Sequence, residues 1–140
     1  MIPILTVVIL MTSNVQADAA SFLPPCPAKP NCVSSQAADG HRIEPFKIVG
    51  EAGGAFKKLR DLLARRSDTT LISSDDTTIR VEFRTFLGFV DDGLFLLDSA
   101  ASTIHIRSAA RLGYWDMGKN RSRMEAIRHA FERVQLPLPP

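Results

Sequence analysis

Residues 70–107 read TLISSDDTTIRVEFRTFLGFVDDGLFLLDSAASTIHIR, and this stretch decides the fold. Apolar and polar side chains alternate along it in short runs, which is the period of a half-buried β-strand. Asp75-Asp76 and the segment 99–102 have the composition of turns. Because connections this short join antiparallel neighbours, the pattern predicts four antiparallel strands at 70–73, 77–86, 93–97 and 103–107.

Two amphipathic helices flank this β-rich stretch, at 51–66 and 121–134. A further strand is predicted at 41–49, where Pro45 is compatible only with a sheet edge. Laying both helices on one face of an antiparallel sheet is the simplest way to bury their apolar stripes. The sequence therefore predicts an α+β fold, a two-layer sandwich in which two helices cover one face of an antiparallel sheet of about four to five strands.

The length and the charge of the chain narrow the class of protein. A chain of 140 residues has room for one domain with a modest core. Its 17 Lys and Arg residues nearly balance its 15 Asp and Glu residues. A net charge this small produces only a weak electrostatic field, which argues against nucleic acid as the partner.

The N-terminal segment has the pattern of an export signal. Residues 2–11 are almost wholly apolar, and a polar stretch then leads to small residues at Ala17, Ala19 and Ala20. This apolar run is too short to span a bilayer, and small residues two apart are typical of a cleavage site. We expect residues 1–19 to be a signal peptide cleaved after Ala17 or Ala19. The mature protein is then periplasmic or secreted, with no stable membrane insertion.

A Pro/Cys-rich arm at 20–40 precedes the predicted α+β domain at 41–136 and a proline-rich tail at 137–140. Four prolines between positions 24 and 30 exclude a regular helix or a central strand there. Cys26 and Cys32 lie six positions apart, and in an oxidising compartment we expect them to form a disulfide. A metal site is the alternative, for which His41 is a poor third ligand.

Polar side chains are dense where the last strand meets the last helix. Alternation along the strand places His105 and Arg107 on the face opposite the helices, and the following loop is long enough to curl over that face. Arginines that converge with an amide suit an anionic ligand. In the alternative, Asp116 pairs with an arginine and Asn120 caps the helix. The candidate site residues here are Arg107, Ser108, Arg111, Tyr114, Asp116, Asn120 and Arg121.

Asp91 and Asp92 form a second candidate group. They precede Gly93, and Asp-Gly is a common hairpin signal, so we expect a turn between two strands. Joined by Asp116, they would alternatively hold a divalent cation through oxygen ligands, or divide acid and base roles if their pKa values differed.

The apolar residues just before this acidic pair also have two interpretations. Phe86, Leu87 and Phe89 belong either to the core, which we expect from their type, or to an exposed docking patch.

Three separated motifs stand out along the chain: C-P-x-x-P-N-C-V-S-S-Q at 26–36, G-F-V-D-D at 88–92, and R-S-x-x-R-x-G-Y-x-D-x-G-x-N-R-x-R at 107–123. Together they resemble one family, the domain-of-unknown-function family 1499. The family is found in bacterial exported or membrane-associated proteins and in plant plastid proteins, and no activity is attached to it. Ala110 stands where its members usually carry a second serine, which shifts weight from that hydroxyl to Arg107, Arg111, Asp116, Asn120 and Arg121.

The resemblance implies that the three motifs belong to one construction. Ser34, Ser35 and Gln36 would then line the same cleft as Asp91, Asp92 and Arg111. A cleft lined by both positive and negative side chains suits a zwitterionic or polyhydroxylated ligand, or the charged tail of a partner protein.

Three functional hypotheses follow. The first is an exported binding or accessory domain, without cofactor or metal, whose Arg/Asp/Asn cleft recognises a small anionic ligand or a protein partner. The second is a metal-assisted, hydrolase-like enzyme that uses Asp91, Asp92 and Asp116. The third is a structural domain in which the polar motif is an internal ion-pair network.

Overall fold

The elements of the chain follow the predicted order, with one strand added inside the Pro/Cys-rich arm. The computed structural model describes residues 22–137. Its elements are β1 (Cys32–Ser34), β2 (Phe46–Lys47), α1 (Ala52–Ala64), β3 (Thr69–Ser74), β4 (Thr78–Arg84), β5 (Val90–Asp98), β6 (Thr103–Ala110) and α2 (Lys119–Gln135).

All the strands belong to one antiparallel sheet. Four of them lie in the order β6-β5-β4-β3, and β1 and β2 pair with the free edge of β6, β1 towards its C-terminal end and β2 at its start. Both helices pack on one face, where the buried apolar side chains of β4, β5 and β6 meet them. The predicted α+β sandwich is confirmed.

Strands β5 and β6 each extend three residues or more beyond their predicted ranges. β5 begins at Val90, so Asp91 and Asp92 pair with Phe83 and Glu82 inside the sheet. The expectation of a turn at this acidic pair is wrong, because the chain reverses earlier, where Thr85 binds the backbone N–H of Phe89 at 3.0 Å. β6 continues to Ala110, which makes Ser108 a strand residue.

The predicted strand at 41–49 is reduced to Phe46–Lys47. Pro45 stands just before it and has no N–H to donate to a ladder. Helix α2 extends to Gln135, whose side chain binds the N–H of Val49 at 2.8 Å and the carbonyl of Lys47 at 3.1 Å. The end of α2 thus holds the short strand against β6, while Val134, next to Gln135, is exposed.

The Pro/Cys-rich arm is built into the sheet. A disulfide joins Cys26 and Cys32, as predicted. Ser35 exchanges two 2.9 Å hydrogen bonds with the backbone of Ile106, one through its N–H and one through its hydroxyl. Nearer the N-terminal end of the arm, Leu23 packs on Leu94, on the face of the sheet that the helices do not cover. The arm therefore covers part of the second face.

The predicted signal peptide, residues 1–19, lies outside the described residues, as does most of the tail. Among the helices of residues 22–137, neither is long and apolar enough to cross a membrane.

A substitution at Gly93 tests how tightly β5 packs against the side chains of β4. A Cβ atom at this buried position would come within 2.5 Å of the Phe83 ring and 2.6 Å of Val81, so we expect Gly93→Ala to lower the free energy of unfolding by about 1–3 kcal/mol through overpacking. Denaturant unfolding measures the change. Gly40→Ala is the matched control because a Cβ there meets nothing within 4 Å; equal effects of the two substitutions would contradict the packing.

Candidate functional site

The strand alternation divides the predicted site residues between the two faces of the sheet. Asp91 and Ser108 point to the helix face and are buried, whereas Asp92 and Arg107 belong to the opposite face. Asn120 is buried beneath the start of α2. The sheet therefore separates Arg107 from Asn120, and the structure does not bring the whole motif into one cleft.

On the helix face, a buried polar network is centred on Asn120, whose exposed fraction is 0%. The Asn120 amide oxygen accepts a hydrogen bond from Ser108. Its amide nitrogen donates to the Asn31 carbonyl at 3.2 Å and to Asp116 at 2.7 Å. The side chain of Asn31 in turn donates to the Gly113 carbonyl at 2.7 Å. One amide thus ties β6, the arm, the 111–118 loop and α2 together.

Asp116 caps helix α2. Its carboxylate accepts hydrogen bonds from the N–H groups of Gly118 and Asn120, both at 2.9 Å, which satisfies donors that have no partner within the helix. The sequence alternative gave the capping role to Asn120 and an arginine partner to Asp116. The structure instead makes Asp116 the cap and turns Asn120 inward.

A buried ion pair adjoins the network. Arg123 donates to Asp91 at 2.8 Å, and the two side chains are 9% and 4% exposed. The guanidinium also lies over the Phe83 ring, 4.7 Å from its centroid, and 3.3 Å from the Asn120 amide oxygen. Arg123 was not among the predicted site residues. The available signal was its position three residues after Asn120, which places both on one side of a helix.

On the opposite face, Arg111 binds two carboxylates at the surface. Its guanidinium lies 2.9 and 2.8 Å from the two oxygens of Asp92 and 2.6 Å from Glu82. These hydrogen bonds, first to Asp92 and then to Glu82, raise the pKa of Arg111. The pair of acidic residues is thus split, with Asp91 held by Arg123 and Asp92 held by Arg111.

Arg107 contacts the Pro/Cys-rich arm. It donates to the Pro25 carbonyl at 3.2 Å, and its burial lowers the pKa of the guanidinium, an effect that the Asp92 charge opposes. His105, its neighbour on this face, lies 3.4 Å from the Ser35 hydroxyl and 3.6 Å from Asp98. Ser34, Ser35 and Gln36 fix the arm rather than meeting Arg111.

Arg121 and His41 border a recess of about 460 Å³ at the start of α2. Arg121 donates to the carbonyls of Arg42 and Gly40, at 2.9 and 3.2 Å. The His41 ring contacts the Lys29 carbonyl and the Asp39 carboxylate, both at 2.8 Å. These two acceptors, the carbonyl first, raise the pKa of His41.

Large apolar side chains crowd the end of the sheet beyond β4 and β6. Phe86 is 103% exposed, and Tyr114 also faces solvent. The expectation that Phe86, Leu87 and Phe89 lie in the core is wrong, because the turn between β4 and β5 holds these side chains at the surface, beside α2 and the 111–118 loop. We call these exposed residues of the two loops the apolar tip: Phe86, Leu87, Phe89, Leu112, Tyr114, Trp115 and Met117.

The two loops of the apolar tip lie side by side. Phe86, Leu87 and Phe89 from one loop and Leu112, Trp115 and Met117 from the other line a shared cavity of about 390 Å³. The cavity floor includes Asp91 and Asp116, so the apolar tip is seated directly on the polar network.

The part of the chain that the structure describes has no cluster of side chains suited to binding a metal ion. Residues 22–137 contain no group of three His, Cys, Asp or Glu side chains arranged to hold an ion. Asp91 and Asp92 face opposite ways, and each is engaged by an arginine.

The fold and the site define a small α+β domain with a disulfide-closed arm, a buried polar network and an exposed apolar end. A family model described as "Protein of unknown function (DUF1499)" matches residues 22–131, and the chain belongs to this family. The predicted resemblance is confirmed. Neither the curated proteins nor the solved structures contain a match to this chain.

The two adjacent aspartates test the division between the faces. Asp91→Asn removes the close carboxylate from the buried Arg123 and leaves it only Asp68, at 3.9 Å, so we expect the free energy of unfolding to fall by about 3 kcal/mol. Asp92→Asn removes one partner of an exposed arginine that keeps Glu82, and we expect a loss below about 1 kcal/mol. Denaturant unfolding compares the two variants; equal losses would contradict the buried pair.

The His41 contacts predict a pH dependence. Only a doubly protonated ring donates to both acceptors, and a raised folded-state pKa stabilises the protein fully below the unfolded pKa of about 6.5. This stabilisation disappears as the pH rises through the folded pKa. We therefore expect stability to fall between mildly acidic and mildly alkaline pH more steeply in the native protein than in His41→Gln. Parallel slopes in denaturant unfolding would refute this.

Proposed function

We propose that this protein is an exported, non-catalytic binding domain that contacts its partner through the apolar tip. The observation that carries the proposal is the cluster of seven large apolar side chains, each at least 54% exposed, on two adjoining loops. Exposed apolar residues scattered singly are ordinary, but a contiguous patch is typical of an interaction surface. Export is supported by the N-terminal pattern and by the Cys26–Cys32 disulfide.

The polar motif supports this function indirectly. Asn120 and Asp116 fix the 111–118 loop from below, and the loop carries Tyr114 and Trp115 at its surface. A contact surface that is already ordered loses less conformational entropy on binding. The family motif thus supplies the rigid base of the binding surface.

A small-ligand cleft and a metal-assisted hydrolase have weaker support. A small anionic ligand would have to compete with Asp92 and Glu82 for Arg111, and Arg107 is on the covered part of the same face. A hydrolase that combines Asp91 and Asp92 would need two carboxylates that the sheet holds on opposite sides.

Trp115 is the single tryptophan of the chain, so it reports on the apolar tip directly. We label Trp115 as 5-fluorotryptophan and add the soluble or the membrane fraction of the compartment to which the protein is exported. We expect its ¹⁹F resonance to shift or broaden with the fraction that contains the partner. Burial of a leucine side chain contributes about 1.5–3 kcal/mol, so Leu87→Asp is expected to weaken that binding by at least about tenfold.

Ile72→Asp is the matched control, because Ile72 is also a large apolar residue, more than half exposed, but lies on β3. A resonance that stays as in buffer in both the soluble and the membrane fractions would contradict the proposed function. The same holds if the two substitutions weaken binding equally.

A further inference from the structure

The apolar tip has a positively charged border. Arg84, at the end of β4, and Lys119, at the start of α2, line a recess of about 530 Å³ together with Phe86 and Met117. Both side chains are exposed. Within residues 22–137, neither makes a side-chain hydrogen bond or an ion pair, so their charges face solvent without compensation.

The other charges around this recess are compensated. Arg66 is paired with Asp68 at 2.9 Å, and Arg123 is paired with Asp91 at 2.8 Å. The Asp116 carboxylate lines the neighbouring apolar cavity and not this recess. The net charge that the recess presents beside the apolar tip is therefore positive and comes from Arg84 and Lys119.

The side chains of the tip are strongly exposed, although six of them also line the shared cavity. Phe86 is fully exposed, and Tyr114 and Trp115 are each about two-thirds exposed. A protein partner would need matching pockets for these side chains, whereas a lipid surface receives protruding apolar groups without a matching shape. Tyr and Trp rings, apolar with one polar atom, favour the boundary between water and lipid.

Resting on the proposed function of the tip, we infer that its partner is the surface of a membrane that contains anionic phospholipids. Phe86, Leu87 and Trp115 enter the boundary between head groups and acyl chains, as the apolar faces of interfacial segments do. Arg84 and Lys119 then lie at the depth of the lipid phosphates, where each cation strengthens binding to an anionic surface. The contact is peripheral and sensitive to salt.

The test titrates the full chain with vesicles and follows the fluorescence of Trp115. One set of vesicles is phosphatidylcholine, and the other contains equal parts of phosphatidylcholine and phosphatidylglycerol. We expect a blue shift of the emission with the anionic vesicles only, and its reversal by added salt. The double variant Arg84→Gln/Lys119→Gln is expected to bind about 25-fold more weakly.

The control Lys47→Gln/Lys58→Gln also removes two positive charges, but at positions outside the tip. We expect it to bind the anionic vesicles as the native protein does. Leu87→Asp is expected to abolish the blue shift, and Leu87→Ser provides a second variant if the aspartate perturbs folding, which circular dichroism monitors. Residues 1–21 are common to all variants, so the variants differ only at the substituted positions.

The outcomes separate this inference from the proposed function. Equal blue shifts with neutral and anionic vesicles, or equal weakening by the two double variants, would overturn the recognition of anionic lipid. No shift with either vesicle, together with a ¹⁹F change in the soluble protein fraction, would make the partner a protein and leave the proposed function standing. No change of Trp115 in any of these conditions would overturn both.

Discussion

The complete burial of the Asn120 amide is the constraint on which the rest of the site depends. A buried amide that lacks partners costs free energy, so its oxygen and its nitrogen must both find them. Here the partners come from strand β6, through Ser108, from the arm, through Asn31, and from the loop, through Asp116. The approach of α2 to the sheet and the path of the 111–118 loop are therefore set together by one side chain.

The apolar tip is a consequence of this arrangement. Asp116 ends the loop by capping α2, and Met117 directly after it takes a left-handed backbone conformation, with φ of 57°. Such a conformation is unfavourable for a residue with a side chain and persists where its surroundings impose it. The buried network thus holds in place a loop that exposes Trp115, instead of letting its apolar side chains collapse onto the core.

The arm contributes in a different way. It closes one edge of β6 with β1, and Leu23 and Pro25 cover the second face of the sheet above Leu94 and Arg107. The two polar regions of the family motif therefore have separate tasks. The one on the helix face organises the loops, and the one on the opposite face meets the arm or forms surface ion pairs through Arg111.

The sequence by itself determined the two helices, the strands β3 to β6 with their antiparallel order, and the disulfide, because periodicity, short turns and cysteine spacing act between near neighbours in the chain. It did not reveal where polar side chains meet. Asp91 and Asp92 are adjacent in sequence, yet the register of β5 sends one to a buried arginine and the other to an exposed one. Only the tertiary structure decided that Phe86 is exposed, since this depends on which elements pack against the turn between β4 and β5, and no local pattern encodes that packing.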